Sequence, residues 1–241
     1  MASVAQFFFE GALIKGSVVA LDEPTAKHIV QVLRKQKGDT IKLSNGKGYI
    51  AFSTITATAK KQCTVTIDEV AYRDEPANKL HIAVAFTKNS SRNEWLLEKA
   101  TELGASSIIP LSAKRTEKEH IRYERWNSIL VSAMLQSQGY YLPELGKAVN
   151  VKELLGKYAA VSQKLVAHCM EGKERIALHT AMKAGKETLF LIGPEGDFTD
   201  EEIELCEANG CTGISLGTQR LRTETAAMAA CAYFNMINNA E

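Results

Sequence analysis

The sequence lacks the features that mark several classes of protein. No apolar run approaches the roughly 18 residues that a membrane helix needs, and the longest candidate, 225–237, contains Asn235. No positive charge precedes the short apolar run near the N-terminus, so we expect no signal peptide and a cytoplasmic protein. Low-complexity segments and internal repeats are also missing. The composition therefore predicts an ordinary globular protein.

Cysteine is scarce and its spacing is irregular. The five cysteines form no CxxC pair, and no histidine lies at zinc-finger spacing from any of them. We therefore predict buried or half-buried thiols in a reducing compartment, and no metal site.

The charge is balanced overall but uneven along the chain. The formal net charge is +1, so no global basic field attracts nucleic acid. Between Lys27 and Lys61, however, eight basic residues accompany one acidic residue, Asp39. Such an excess is typical of phosphate contacts, although a solvated protein face can show the same pattern. A second stretch, Lys114–Arg125, is more mixed, with five basic and three acidic residues.

The N-terminal third has the pattern of a small β domain. Short runs rich in β-branched residues predict strands at 18–20, 40–43, 49–56 and 63–70, with a tight hairpin at Asn45-Gly46. One helix is predicted from Pro24 to Lys35, with Ile29, Val32 and Leu33 as its apolar stripe.

After a linker at 73–79, strands and helices alternate. Continuous apolar runs predict buried strands at 80–86, 108–111, 164–169, 189–193 and 213–216. Helices are predicted from a capping box at Ser91 and Glu94, at 123–138, from a capping box at Thr199 and Glu202, and at 223–238. The alternation predicts an α/β domain with a mostly parallel sheet.

Two loops at the ends of predicted strands carry the functional signal. In the first, 191–197, two glycines bracket Pro194 and Glu195, which allows close approach of backbone to a ligand. The second, 215–226, places Arg220 and Arg222 just before a helix whose first turn contains Glu224. A simple tight turn explains the first loop equally well. Helix capping by Thr223 explains part of the second, but the arginines oppose the helix dipole and indicate a polar or anionic ligand.

Taken together, the segments GPEGDFTDEEI (Gly193–Ile203) and SLGTQRLRTETAA (Ser215–Ala227) resemble the signature of SPOUT-class methyltransferases, and most closely the RsmE family. HIVQVLR (His28–Arg34) resembles that family's N-terminal PUA-like domain, and KNSSRNEWLLEKATELG (Lys88–Gly104) its first catalytic-domain helix. The resemblance covers nearly the whole chain.

This resemblance implies a PUA-like RNA-binding β-barrel at 1–72 and a SPOUT methyltransferase domain with a trefoil knot at 80–241. The implied activity is transfer of a methyl group from S-adenosyl-L-methionine to N3 of uridine 1498 of 16S ribosomal RNA in the small ribosomal subunit. The implied cofactor-binding residues are Ala167, His168, Ile192, Gly193, Pro194, Glu195, Gly196, Ser215, Leu216, Gly217, Leu221, Arg222 and Thr225.

The chemistry of N3 methylation suggests catalytic candidates. The N3 proton of uracil must leave as the nitrogen attacks, so a base or a cation that stabilises the anion is needed. Arg222 is the predicted cation. Glu224 is a weaker candidate for the base, because helix capping or pairing with an arginine explains it as well.

The resemblance also implies partners. We predict RNA contacts by Lys27, Arg34, Lys35, Lys88 and Arg92. The class generally works as a homodimer. The C-terminal helix suits a dimer interface, although it could equally be core. Its apolar residues are Ala226, Ala227, Met228, Ala230, Cys231 and Phe234.

The chain departs from the family pattern at 112–117 and 135–139, which could alter contacts to RNA or a partner subunit. Two alternatives stay open: a SPOUT methyltransferase for another target, such as a ribose hydroxyl or a transfer-RNA guanine, and a non-catalytic RNA-binding factor.

Overall fold

The chain folds into two compact units. The computed structural model describes residues 4–117 and 121–238. The first unit contains 4–75 together with Met134–Leu142, and the second contains Pro76–Ala133 and 143–238. The sequence analysis assigned 134–142 to the second domain. In the structure this segment joins the first unit, where the Gly48 amide donates to the Tyr140 carbonyl at 2.9 Å and the Leu142 amide to the Gly46 carbonyl at 2.9 Å.

A five-stranded sheet forms the first unit. Its strands are β1 (Gln6–Phe8), β2 (Val18–Ala20), β3 (Thr40–Ser44), β4 (Tyr49–Ala59) and β5 (Gln62–Tyr72), arranged in the order β1-β3-β4-β5-β2. All neighbours are antiparallel except the parallel pair β1 and β3. One face buries a core that includes Ile41, Leu43, Ile55, Val65 and Ile67. The four predicted strands are confirmed. β1 was missed because three residues are too few to show a periodicity.

The helix predicted over Pro24–Lys35 takes a different form. An α-helix, α1 (Glu23–Lys27), passes into one π-helical turn (His28–Val32). The predicted apolar stripe is wrong in part: Ile29 is buried, but Val32 and Leu33 are 67% and 39% exposed. A π turn has more residues per turn than an α-helix, so it rotates these two side chains away from the core.

A seven-stranded parallel sheet forms the second unit. Its strands are β6 (Leu80–Val84), β7 (Ser107–Pro110), β8 (Glu144–Leu145), β9 (Gln163–Ala167), β10 (Ile176–Ala177), β11 (Thr188–Ile192) and β12 (Cys211–Ser215). They lie in the order β10-β12-β9-β11-β6-β7-β8. Every residue of β6, β7 and β11 is buried, as expected for strands covered on both faces. The predicted α/β fold with a mostly parallel sheet is confirmed. The two-residue strands β8 and β10 were not predicted.

Six helices accompany this sheet: α2 (Ser90–Glu102), α3 (Tyr123–Gln136), α4 (Val151–Lys157), α5 (Leu178–Ala181), α6 (Asp200–Ala208) and α7 (Thr223–Asn238). The capping box of Thr199 and Glu202 is confirmed at α6. At α2 the predicted cap is wrong. The helix begins earlier than that cap requires, so Ser91 lies inside the first turn. Asn89 is the cap, and its side chain accepts from the Arg92 amide. The short helices α4 and α5 were not predicted.

Helix α7 packs against α2, β6 and β11 of the same chain. Five of its six residues that were considered for a subunit interface are buried there: Ala226, Ala227, Ala230, Cys231 and Phe234. This face of α7 is therefore core. Met228, the sixth residue, is half-buried.

Candidate functional site

A cleft opens at the carboxyl edge of the parallel sheet, where β9, β11 and β12 end side by side. Its volume is about 290 Å³. Three segments surround it: the first loop (168–175) after β9, the second loop (193–199) after β11, and the third loop (216–222) between β12 and α7. Ligands of open α/β sheets bind at this edge, because the loops there converge while the strands hold them in place.

Asp197 joins the first loop to the second. Its carboxylate accepts from the Cys169 amide at 2.7 Å and from the Phe198 amide at 2.8 Å. Its φ of 64° lies in the left-handed region, which asparagine and aspartate tolerate better than most residues. The side chain thus fixes two walls of the cleft at once.

Gly193 is required where the second loop begins. A Cβ at this position would lie 2.9 Å from two ring atoms of Phe198, a fully buried side chain. Because the ring cannot move freely, only glycine fits without displacing the loop. Gly193 also lines the cleft.

Arg220 of the third loop and Thr223 of α7 both bind the second loop. Arg220 Nη2 donates to the Glu195 carbonyl at 2.8 Å, and the buried Thr223 hydroxyl donates to the Gly193 carbonyl at 3.2 Å. The sequence analysis expected Thr223 to cap α7. Its hydroxyl instead faces the second loop, because Thr223 is the first residue inside the helix.

Arg222 stands apart from the other arginines of the cleft. It lines the cleft and is exposed. Within the described part of the chain, its guanidinium forms no hydrogen bond or ion pair. Its charge is therefore available to a ligand, in contrast to that of Arg220, which is committed to the loop.

His168 is a buried histidine in the first loop. Its side chain lies beside Gly213, where an added Cβ would come within 2.8 Å of Nε2. Neither ring nitrogen has a hydrogen-bond partner among the described residues. Burial lowers the pKa of the imidazole, and the nearby Asp197 carboxylate opposes that shift only in part. The ring is therefore neutral at pH 7.

Glu224 lies on the far side of the α7 N-terminus. It is buried and does not line the cleft. Arg92 Nε lies 3.5 Å from Glu224 Oε1, and Arg92 Nη1 lies 3.7 Å from Glu195 Oε1. The predicted RNA-contacting residue Arg92 is thus flanked by two carboxylates.

The cleft brings together most of the residues that the resemblance indicated. Those lining it are Ala167, His168, Ile192, Gly193, Pro194, Glu195, Ser215, Leu216, Gly217, Leu221 and Arg222. Gly196 and Thr225 do not line it. The Gly196 carbonyl instead accepts from Arg115 Nη1 at 2.9 Å, and Thr225 is half-buried in the first turn of α7.

Several lining residues were not predicted as site residues: Cys169, Arg175, Asp197, Ile214, Gln219, Arg220, Thr223 and Ala226. Arg220 was noted for its position before the helix, and Asp197 lies inside the GPEGD segment, so both carried a signal. Arg175 had none, because it lies six residues after the end of the predicted strand 164–169. Its Nη1 donates to the His168 carbonyl at 3.1 Å.

The predicted RNA-contacting residues differ in how free their charges are. In the first unit, Lys27 pairs with Glu23 at 2.7 Å, and Lys61 reaches the same carboxylate at 3.1 Å. These two lysines lower the pKa of Glu23. Arg34 is exposed and Lys35 is half-buried, and neither forms an ion pair within the described chain. In the second unit, the exposed Lys88 pairs with Glu117 at 2.7 Å.

The mixed-charge stretch 114–125 is largely committed to the second unit. Arg115 donates to the Gly196 and Phe198 carbonyls, Lys114 Nζ pairs with Glu201, and Arg125 forms a two-pronged pair with Glu94. Residues 118–120 of this stretch lie outside the described residues. The departure from the family pattern at 112–117 thus includes an arginine that supports the second loop.

Among residues 4–117 and 121–238, none of the helices has the length and apolar character of a membrane span. The same residues contain no group of three or more histidine, cysteine, aspartate or glutamate side chains arranged to hold a metal ion.

Comparisons with known proteins agree in both units. A family model described as an RNA methyltransferase domain matches residues 73–235, and one described as an RNA methyltransferase PUA domain matches 21–68. Ribosomal RNA small subunit methyltransferase E of Bacillus subtilis (strain 168) is 31% identical over an alignment of 216 residues, and the match covers 84% of this chain and 84% of the other.

Two solved structures have the same fold over almost the full length. A probable rRNA-methyltransferase from Porphyromonas gingivalis superimposes with a TM-score of 0.91 at 31% identity, covering 98% of this chain and 99% of the other. Ribosomal RNA small subunit methyltransferase E from Neisseria gonorrhoeae, bound to S-adenosyl methionine, gives a TM-score of 0.81 at 26% identity, covering 98% of each chain. The protein therefore belongs to the RNA methyltransferase family whose curated members include ribosomal RNA small subunit methyltransferase E.

Proposed function

We propose that this protein transfers a methyl group from S-adenosyl-L-methionine to N3 of uridine 1498 of 16S ribosomal RNA in the small ribosomal subunit. The observation that carries the proposal is the three-loop cleft at the ends of β9, β11 and β12. It occurs in a chain whose relatives are named as small-subunit ribosomal RNA methyltransferases, one of which has been solved with this cofactor. The site of such a reaction is the cytoplasm, where ribosomes are assembled.

The residues present suit the cofactor. Ile192, Ile214, Leu216, Leu221 and Ala226 offer apolar walls for an adenine ring, and Gly193 lines the cleft without a side chain. The buried, neutral His168 has two ring nitrogens without partners in the described chain, so it can donate to one polar group and accept from another. We therefore propose the cofactor-binding set given above, with Gly196 and Thr225 supporting the loop and the helix rather than lining the cleft.

When bound, the cofactor supplies an electrophilic methyl group; the chain must align the acceptor nitrogen and manage its proton. Arg222 is the cation at the cleft whose charge is free within the described chain, so we assign it to the negative charge that develops on the uracil as the N3 proton leaves. Glu195 is the glutamate that lines the cleft. Glu224 is turned toward Arg92, so we assign it a structural role rather than that of the base.

For RNA contact we propose Arg34 and Lys35 in the first place, because neither forms an ion pair within the described chain and Arg34 is exposed. Lys27 and Lys88 are also proposed to contact RNA, although each forms an ion pair, with Glu23 and Glu117 respectively. A homodimer is also proposed, on the resemblance to a dimeric class; the buried face of α7 does not supply its interface.

Methyl transfer tests the proposed function. The protein is incubated with labelled S-adenosylmethionine and small ribosomal subunits that lack this modification, and the RNA is digested to nucleosides. We expect label in 3-methyluridine. Label in another nucleoside would agree with the proposed cofactor but would show that the methylated nucleotide is a different one. Cofactor binding without transfer to any ribosomal RNA would contradict the proposal that ribosomal RNA is the substrate. Failure to bind the cofactor would favour the alternative of a non-catalytic RNA-binding factor.

A further inference from the structure

Arg92 occupies an unfavourable position for a cation. It lies in the first turn of α2, where the helix dipole favours negative charge. The side chain is one-third exposed, so solvent stabilises its charge only in part. Two carboxylates offset this cost, because Glu224 lies 3.5 Å from Nε and Glu195 lies 3.7 Å from Nη1.

These two carboxylates belong to different elements. Glu195 lies in the second loop, and Glu224 lies in the first turn of α7. Arg92 therefore connects the second loop to the start of α7, in addition to the bonds that Arg220 and Thr223 make to the second loop. The arginine comes from a third element, α2, which also packs along α7.

The cation is also needed to keep Glu224 where it is. The Glu224 side chain is only 11% exposed, and its Oε2 has no hydrogen-bond partner within the described chain. A buried carboxylate that loses its counter-charge is strongly destabilising. Without Arg92, Glu224 would move toward solvent or away from Glu195, and either movement would displace the start of α7.

We propose that Arg92 is a positioning residue, not a phosphate contact: it holds the second loop and the α7 N-terminus in the arrangement that binds the cofactor. This inference rests on the proposed S-adenosylmethionine site. It predicts that the affinity for cofactor, and not the affinity for RNA, depends on the charge of Arg92.

The test compares Arg92→Met with Lys99→Met, a matched control on the same helix. Lys99 also pairs with two carboxylates, Glu98 and Glu102, but lies away from the cleft lining. Calorimetric titration with S-adenosylmethionine is expected to show about tenfold weaker binding for Arg92→Met and unchanged binding for Lys99→Met. The salt dependence of RNA binding should be unchanged in both variants.

Charge rescue separates positioning from a general loss of structure. In Arg92→Met/Glu224→Gln the buried carboxylate is gone, so cofactor affinity should recover most of the loss, and thermal unfolding should return toward that of the wild type. If Arg92→Met does not fold, the double variant is compared with Glu224→Gln alone, and similar cofactor affinities for the two are expected.

Three results would overturn the inference. One is unchanged cofactor affinity in Arg92→Met with weaker RNA binding and a smaller salt slope, which would identify a phosphate contact. Another is no change in either affinity. The third is a double variant as weak as, or weaker than, the single one. Failure of the wild-type protein to bind S-adenosylmethionine would instead reject the proposed function itself.

Discussion

At the scale of single residues, the arginines of the cleft have different roles that the sequence could not separate. Arg220 and Arg222 are two positions apart and both oppose the dipole of α7. In the structure one donates to the Glu195 carbonyl, and the other has no partner within the described chain. Arg92 was assigned to RNA because it follows the first strand of the parallel sheet, at the edge expected to carry the site. Its neighbours Glu195 and Glu224 lie more than 100 positions away along the sequence, so no local pattern could indicate the pairing.

Arg222→Ala is expected to lower turnover about a hundredfold, because a charge-stabilising donor in the transition state is lost. The affinity for S-adenosylmethionine should change much less. Single-turnover methylation and calorimetric titration measure the two quantities separately. Arg222→Lys, which keeps a positive charge, serves as the control and should retain more activity than alanine. An equal loss of turnover and cofactor affinity would assign Arg222 to cofactor binding instead.

The pH dependence of stability reports on His168. Burial holds its pKa in the folded protein below the unfolded value of about 6.5, so the unfolded chain takes up the proton first as the pH falls. The free energy of unfolding should therefore decrease as the pH is lowered through about 6.5 until the folded pKa is reached. His168→Phe, which cannot titrate, should show a smaller decrease between pH 7.5 and 5.5 in urea unfolding.

The control for this experiment is the exposed His179, because His179→Gln should leave the wild-type pH dependence nearly intact. If the free energies of unfolding of His168→Phe and the wild type decrease in parallel as the pH falls, protonation of His168 does not cause the pH dependence of stability.

At the scale of elements, the sequence predicted the parallel strands better than the short pieces around them. β6 and β11 are apolar apart from His81 and Thr188, because both faces are covered, and this pattern is visible without a structure. The strand–loop–helix order around 188–203 likewise predicted the second loop. β8 and β10 have two residues each, held by pairing with neighbours distant in sequence. The end of the α1 helix was mispredicted because α and π turns present the same residues at different angles.

Arg34 ends the π-helical turn in a left-handed conformation, with φ 54°. Glycine adopts this conformation with about 1 kcal/mol less strain, so Arg34→Gly should keep or raise the free energy of unfolding while removing one charge. We expect weaker RNA binding and a salt slope smaller by about 0.7 to 0.9, as for the loss of one phosphate contact. Binding at several salt concentrations and urea unfolding test both parts.

Lys15→Met provides the comparison, since Lys15 is an exposed cation of the first unit outside the proposed RNA-contacting set. An identical salt slope for Arg34→Gly and the wild type would remove Arg34 from the RNA-binding surface. We expect the Arg34→Gly variant to fold in either case.

At the scale of the whole molecule, the resemblance to a family predicted what composition could not. A net charge of +1 gives no indication of a nucleic-acid substrate, and the parallel sheet alone is shared by proteins of many activities. The loop motifs identified the class, and matches across 73–235 and 21–68 agree with it. The return of Met134–Leu142 to the first unit could not be predicted, because it depends on backbone pairing with 46–48. The trefoil knot stays a prediction of the resemblance.

The central claim is methylation of one uridine at N3, and reverse transcription tests it most directly. A methyl group at N3 blocks Watson–Crick pairing, so the polymerase stops one nucleotide before the modified base. Small subunits lacking the modification are treated with the protein, with and without S-adenosylmethionine, and the extracted 16S ribosomal RNA is copied. We expect one new cofactor-dependent stop, next to uridine 1498. Methyl incorporation without a stop, or a stop elsewhere, would contradict the central claim.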